Sequence, residues 1–304
     1  MELKLKWLVL RWSIFVGAIR LPGQVQTEWP RPCFTTATVN FINHLTPAVR
    51  ARIMASFEPV GVARNVTLFE ASDSGEYVYF PQGPLISLEQ HNHVEVALIG
   101  SEGLVGWPAL AGCRHSPYRA IVRGRDGVVL RIRTDLLLAM VGVVPELGMR
   151  LSRFMNVISL QMAETIGASA SHRIDVRLGR WLLMRHDRVG GDELLVHHDE
   201  IAANLGVRRA SVTDCLHVIE GTGAVRCRRG RITVRDRAAL QTLAAGCYGA
   251  AESMYRESIG EFGKGAIKTA PQAQESSTDQ PEMQRAAPVE RPSFILGGIE
   301  ALSS

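Results

Sequence analysis

The chain has 304 residues, 46% of them apolar and 21% charged, which suits two ordinary domains plus tails and excludes a wholly disordered protein. A net charge of +4 excludes a uniformly cationic polymer binder, so any basic surface has to be local. Five cysteines, at 33, 113, 215, 227 and 247, stand singly with no CxxC pair, which argues for a reducing compartment, against a disulfide framework and against a metal site or cofactor built on cysteine.

In residues 1–40, Lys4 and Lys6 precede an apolar run from Trp7 to Ile19 that resembles a short signal peptide, but Arg11 interrupts it and no small-x-small cleavage site follows. The run is too short and too charged to read as a membrane span. An unstructured extension or an upstream start is expected, with a membrane tether as the lesser alternative. From Thr46 to Phe57, TPAVRARIMASF has a helical rhythm with Pro47 suited to the first turn. Short apolar or alternating runs follow at 77–80, 85–88, 94–99, 118–122 and 128–132, bounded by glycine, proline and acidic turns. Segments of that length and spacing predict an antiparallel barrel or sandwich rather than βαβ units. A glycine-rich stretch, Gly100 to Gly106, interrupts the strands before a small helical patch near Trp107–Leu110.

Near Val143 the pattern turns helical. Leu147, Leu151, Phe154, Ile158 and Gln161 follow steps of four and three, the seam of a two-stranded coiled coil, with Met155 and Met162 beside it. A dimer helix over 146–172 is expected, an ordinary helix packed on its own domain being the alternative. Ser169 and Ser171 are candidate caps for a further helix through Ile174, Leu178, Trp181 and Leu182, ended by the turn Asp187–Asp192.

Residues 198–234 read HDEIAANLGVRRASVTDCLHVIEGTGAVRCRRGRITV. Apolar side chains at Ile201, Leu205, Val207, Val212 and Cys215 alternate with the small Ala202 and Gly206, so that two helices can cross closely and the first can end in a left-handed glycine. That is a helix-turn-helix, whose second helix lies in the DNA major groove. The hairpin after it pairs Val225–Arg228 with Arg231–Val234 around Arg229-Gly230, a wing, and between Arg226 and Arg237 there are six arginines against one aspartate. A helix from Arg237 to about Tyr248 closes the unit. From residue 264 the composition falls to Lys, Gln, Ser, Pro and Glu; a disordered tail over 264–304 is expected, with Phe294-Ile295-Leu296 as a conceivable docking motif.

Enzymatic readings find little support. His91-Asn92-His93 sits in a hairpin loop, His197-His198-Asp199-Glu200 cannot converge on a metal from adjacent helical positions, and His186-Asp187 lacks the partners of a metal phosphohydrolase. Phosphate loops and nucleophile elbows are missing.

The order β-roll, long helix, winged helix-turn-helix resembles the Crp/Fnr family of bacterial transcription regulators over about residues 41–248. VYFPQGPLISL (78–88), EVALIGSEGLVGWPALAG (95–112), RLGRWLLMRHDRVGGDEL (177–194) and the helix-turn-helix carry the likeness. The resemblance implies an α+β fold with an antiparallel, jelly-roll-like sensor over 41–145, a dimerisation helix over 146–172 whose seam is Leu147, Leu151, Phe154 and Ile158, and a DNA-binding domain over 173–248. It implies a cytoplasmic, non-enzymatic homodimer on double-stranded DNA, with RNA polymerase as a further partner and no membrane contact. The other reading is a ligand-binding or protein-interaction module whose DNA-binding domain has degenerated.

Members that bind cyclic AMP carry a Gly-Glu pair for the ribose and an Arg-Ser pair facing the phosphate. Here Ser101 separates Gly100 from Glu102-Gly103, and Tyr118-Arg119 stands at the second place. A tyrosine lacks the bidentate grip of a guanidinium, and Arg119, one residue along a strand, points to the other face. The pocket is therefore expected to be degenerate and not to use cyclic AMP, its effector unknown. Cys33 alone cannot form the cysteine cluster of the oxygen-sensing branch. In the reading helix the resemblance gives Arg209, Ala210, Thr213 and Asp214 to bases and Arg208 and Ser211 to phosphates, the wing residues Arg228, Arg229 and Arg231 also tracking the backbone. Asp214 is expected to accept from cytosine or to buttress Arg209.

Overall fold

The computed structural model describes residue 42 and residues 45–264. The expectations for 1–40, with Cys33, and for the tail beyond Lys264 fall outside the described residues. Helix α1 (Pro47–Met54) begins at the proline, whose missing N–H costs nothing in a first turn. Seven strands follow: β1 (Glu58–Val62), β2 (Thr67–Phe69), β3 (Tyr77–Pro81), β4 (Leu85–Glu89), β5 (Glu95–Ile99), then after the one-turn helix α2 (Trp107–Leu110), β6 (Arg119–Arg123) and β7 (Gly127–Arg133). They pair antiparallel in two sheets, ordered β1-β7-β3 and β2-β6-β4-β5. All five residues of β4 are buried, as expected of an interior strand covered on both faces.

The expected strands appear within a residue or so of their predicted ends. β1 and β2 were not anticipated; β1 reads EPVGV, where Pro59 and Gly61 mask the strand signal. Helix α3 (Thr134–Val143) is likewise not signalled by the sequence, because TDLLLAMVGV is apolar nearly all round and shows no period.

Helix α4 (Pro145–Ser171) is the long one. Its expected outward seam points inward: Leu147, Leu151, Phe154 and Ile158 are 2%, 5%, 1% and 2% exposed and belong to the β-roll core. Gln161, read as the seam's next step, is buried against the edge strand β5. Its side chain accepts from the Leu98 N–H at 2.8 Å and donates to the Leu98 carbonyl at 3.3 Å, supplying the partners that an edge strand lacks. The steps of four and three thus mark an ordinary amphipathic face.

Helix α5 (Ile174–His186) starts after an extended Arg173 that offers no side-chain cap; Ser169 and Ser171 lie inside α4, which corrects their assignment as caps. Strand β8 (Glu193–Leu195), helices α6 (His198–Leu205) and α7 (Arg209–Gly221), strands β9 (Val225–Arg228) and β10 (Arg231–Val234) and helix α8 (Arg237–Leu243) complete the second half. They enclose their own apolar core around Leu178, Trp181, Leu182, Ile201, Val212, Leu216 and Ile232. The closing helix stops at Leu243, short of the expected Tyr248. Beyond it an unforeseen helix, α9 (Ala250–Ser258), lies along α4, with Ala251, Tyr255 and Ile259 joining the first core. Among the described residues no helix is long and apolar enough to cross a membrane.

Candidate nucleic-acid interface

Helices α6 and α7 meet through Ile201, Ala202, Val212 and Leu216, all buried. Gly206 takes φ +64° and ends α6, while the Val207 N–H donates back to the Ala202 carbonyl at 2.9 Å, closing the turn. With its apolar stripe so engaged, α7 turns Arg209, Ala210, Asp214, His217 and Val218 outward, and Arg208, just before it, is exposed too. The first turn of α7 is thus an open positive end of a helix flanked by two arginines.

Arg209 Nε lies 3.2 Å from Asp199 Oδ1, both side chains being about two-thirds exposed (68% and 69%). A pair so wet is worth little, so Asp199 can orient the guanidinium and yield it to a nucleic-acid acceptor. Asp199 therefore takes the buttressing place suggested for Asp214, which lies exposed further along the helix. Thr213 is half-buried and turned inward: its hydroxyl sits 3.2 Å from the Arg209 carbonyl and 3.0 Å from His198 Nδ1, so it ties α7 to α6. Burial first, then the charge of Arg209, lowers the His198 pKa. Ser211 is half-buried.

The wing has the expected register, Arg231 opposite Arg228 and Ile232 opposite Cys227, with Gly230 at φ +74° in the turn. Strand β8 adds a third strand beside β10. Arg228, Arg229 and Arg231 are exposed, Arg231 meeting Glu193 at 3.0 Å on the surface, and Arg226 and Arg235 are exposed alongside. Arg237 leaves the basic patch: its guanidinium bonds Asp187 at 2.6 Å and Tyr248 at 2.8 Å inside the domain.

The place of the expected effector pocket is filled by the chain itself. Glu102 is 3% exposed; its carboxylate accepts from the Gly100 N–H at 2.9 Å and from Arg188 Nε at 2.7 Å. Burial works against the Arg188 charge, but the carboxylates of Glu102 and Glu252 outweigh it and hold the guanidinium protonated. Tyr255 of α9 donates to the Glu102 carbonyl at 2.6 Å, and Phe262 stacks near both Tyr255 and Arg188. The space left between Glu102, Phe154 and α9 is ≈ 10 Å³, room for about one water. Gly103 lets Phe154 in: a Cβ there would lie 2.2 Å from the ring. Gly103→Ala is expected to destabilise the protein by about 1–3 kcal/mol through overpacking; urea unfolding at unchanged midpoint would contradict this. Tyr118 turns toward α4, its ring 6.1 Å from that of Trp107 and its hydroxyl on Met162. Arg119 points elsewhere, to Glu70, Thr67 and His93.

Polar contacts also fasten the helix-turn-helix half to the β-roll. Arg185 of α5 grips Glu95 of β5 through two bonds of 2.9 and 2.8 Å, with Ser87 donating to the same carboxylate at 2.6 Å. Arg64 reaches Glu200 at 2.8 Å, and Asn204 donates to Glu89 at 3.3 Å. These partners stand 90, 136 and 115 positions apart, so neither spacing nor motif could reveal them. His186 is likewise structural, bonded to Asp192 at 2.8 Å, while His91 and His93 lie exposed in the β4–β5 turn.

Residues 176–243 match the family model of the Crp-like helix-turn-helix domain. No curated protein sequence matches the chain. Among solved structures, a CRP-family transcriptional regulator from Thermus thermophilus is 19% identical with a TM-score of 0.54, covering 63% of this chain and 99% of that one. FixK2 from Bradyrhizobium japonicum is 15% identical (TM-score 0.54; 63% and 99% covered). The c-di-GMP responsive global regulator CLP of Xanthomonas campestris is 14% identical (TM-score 0.53; 62% and 99%). Residues 176–243 are therefore a Crp-like helix-turn-helix domain, and the chain shares the fold of these regulators of known structure.

Proposed function

We propose that this protein is a sequence-specific DNA-binding transcription regulator that acts as a homodimer in the cytoplasm, in contact with RNA polymerase, and does not respond to cyclic AMP. The observation that carries the reading is the exposed leading turn of α7, with Arg208 and Arg209 beside a wing that presents Arg228, Arg229 and Arg231. Arg209, Ala210 and Asp214 read bases; Arg208 and the wing hold phosphates. The inward hydroxyl of Thr213 and the half-buried Ser211 leave those two residues lesser parts than the sequence suggested. Functionally the chain divides into a β-roll over 41–145, the long helix and the DNA reader over 173–248. Selection of bound duplexes from a random library tests the reading: an enriched two-fold site supports it, and no enrichment favours a module whose DNA domain has degenerated.

The dimer face moves to the other side of α4. Met149, Ser152, Asn156, Ser159, Ala163, Ile166 and Ala170 are exposed at alternating steps of three and four, with Met149 55% and Ile166 70% open. Small residues and one asparagine at seam positions suit a close, register-fixed helix pair. Ile166→Asp is expected to give folded monomers by light scattering and circular dichroism, with a melting temperature that no longer depends on protein concentration; an unaltered dimer would sink this placement. Insensitivity to cyclic AMP is supported by Glu102 being held by Arg188, by Tyr118 standing where an arginine is needed, and by the ≈ 10 Å³ of free space.

A further inference from the structure

A second hollow, a cavity of ≈ 200 Å³, opens between β3 and α2. Glu102, Tyr118 and α4 do not line it, so it is separate from the closed space beside Glu102. Its walls are aromatic: the Phe69 and Tyr79 centroids are 6.0 Å apart, those of Tyr77 and Tyr79 6.3 Å. Tyr79 and Arg131 are direct partners across the β3–β7 ladder and so project from the same face of the sheet. They are 6% and 4% exposed.

These two groups are donors with capacity to spare. The Tyr79 hydroxyl makes no hydrogen bond to another described residue and is not one of their sealed, unsatisfied polar atoms, so it keeps access to solvent and can take up a ligand group. Its charged neighbours Arg131, Glu76 and Asp73 line the same hollow as Tyr79 itself. Burial pushes its pKa up, so it stays a donor at neutral pH. Arg131 stacks on Tyr77, 4.2 Å from the ring centroid, and holds Glu58 at 3.0 and 2.9 Å, but that carboxylate is 55% exposed and readily exchanged. The rim is fixed in advance: Ser72 N–H donates to the Ser116 carbonyl at 2.8 Å, Ser116 N–H to the Asp73 carbonyl at 3.0 Å, and the Thr134 hydroxyl to the Gly75 carbonyl at 2.6 Å. Gly75 allows the close approach of α2, since a Cβ there would sit 2.4 Å from that of Ala109.

We propose that this cavity binds a small aromatic acid. The carboxylate lies between the Tyr79 hydroxyl and Arg131, displacing Glu58, and the ring lies among Phe69, Tyr77 and Tyr79. A donor at the far end of the ligand meets Asp73 or Glu76 at the mouth. The volume, below the roughly 300–1,000 Å³ of drug-sized sites, limits the ligand to a single substituted ring. An amine is disfavoured at the floor, where it would face the guanidinium.

Calorimetric titration of the full chain with 4-aminobenzoate, and with benzylamine as the cationic counterpart, tests this independently of DNA binding. Saturable binding of 4-aminobenzoate is expected, weakened roughly tenfold in Tyr79→Phe, which removes only the unpartnered hydroxyl. Glu58→Gln, at an exposed position, is expected to tighten binding by freeing Arg131. Absence of saturation with 4-aminobenzoate, equal affinity in Tyr79→Phe, weaker binding in Glu58→Gln, or tighter binding of benzylamine would each overturn the proposal.

Discussion

Arg185→Ala is expected to cost about 3–5 kcal/mol, because it leaves a carboxylate buried and uncompensated. Arg185 and Glu95 are 3% and 5% exposed, and their two parallel bonds link α5 to β5. The guanidinium also lies over Trp181, 3.3 Å from the ring centroid, so removal loses packing as well as charge. In a protein held together by about 5–15 kcal/mol, a loss of that size lowers the urea midpoint substantially. The physical cause is open to a direct check. Replacing both partners by apolar residues, Arg185→Met with Glu95→Leu, should recover much of the loss, since a buried pair contributes little more than well-packed hydrocarbon. If the double variant is as unstable as the single one, the cost lies in packing around Trp181 and not in the orphaned charge. Because the pair joins the β-roll to the DNA reader, amide exchange in β5 and α5 should quicken together in Arg185→Ala.

The second large effect concerns the reading helix. Arg209→Ala is expected to weaken binding to the selected site by about 1–3 kcal/mol and to relax preference at one base position, since a guanidinium can donate two bonds to guanine O6 and N7. Arg229→Ala should weaken all duplexes alike and reduce the slope of log affinity against log salt by about 0.9, the signature of one lost phosphate contact. Asp199 adds a refinement: as it holds Arg209 Nε at 3.2 Å, Asp199→Ala should loosen the guanidinium and lose specificity without losing the salt slope. A changed base preference in Arg229→Ala, or none in Arg209→Ala, would reverse these roles. Binding isotherms on matched and mismatched duplexes at several salt concentrations measure all three.

Features set by short-range rules were legible in the sequence. The wing announces itself because Val225–Arg228 and Arg231–Val234 alternate around Arg-Gly, and Arg231 stands opposite Arg228 as that pattern requires. Gly206 was readable because only a glycine tolerates its positive φ comfortably. The seam on α4 was read from a true periodicity, but periodicity tells that a face is covered and not what covers it. The β-roll and α9 cover it, and Gln161 sits there because β5 needs edge partners, a demand visible only in three dimensions. Glu102 was expected to line a degenerate ligand pocket, whereas its partner Arg188 comes from 86 positions away. Helix α9 is masked in the sequence by its polar neighbours, although Ala251, Tyr255 and Ile259 recur every four residues and its Glu252 caps the Gly249 N–H at 3.1 Å.

The central claim is that paired reading helices bind a two-fold DNA site, and selection from a random duplex library at moderate salt measures it most directly. The account predicts enrichment of an inverted repeat whose half-sites are centred about one helical turn apart, bound by two chains. Recovery of unrelated sequences, or of a single half-site bound by one chain, would contradict it.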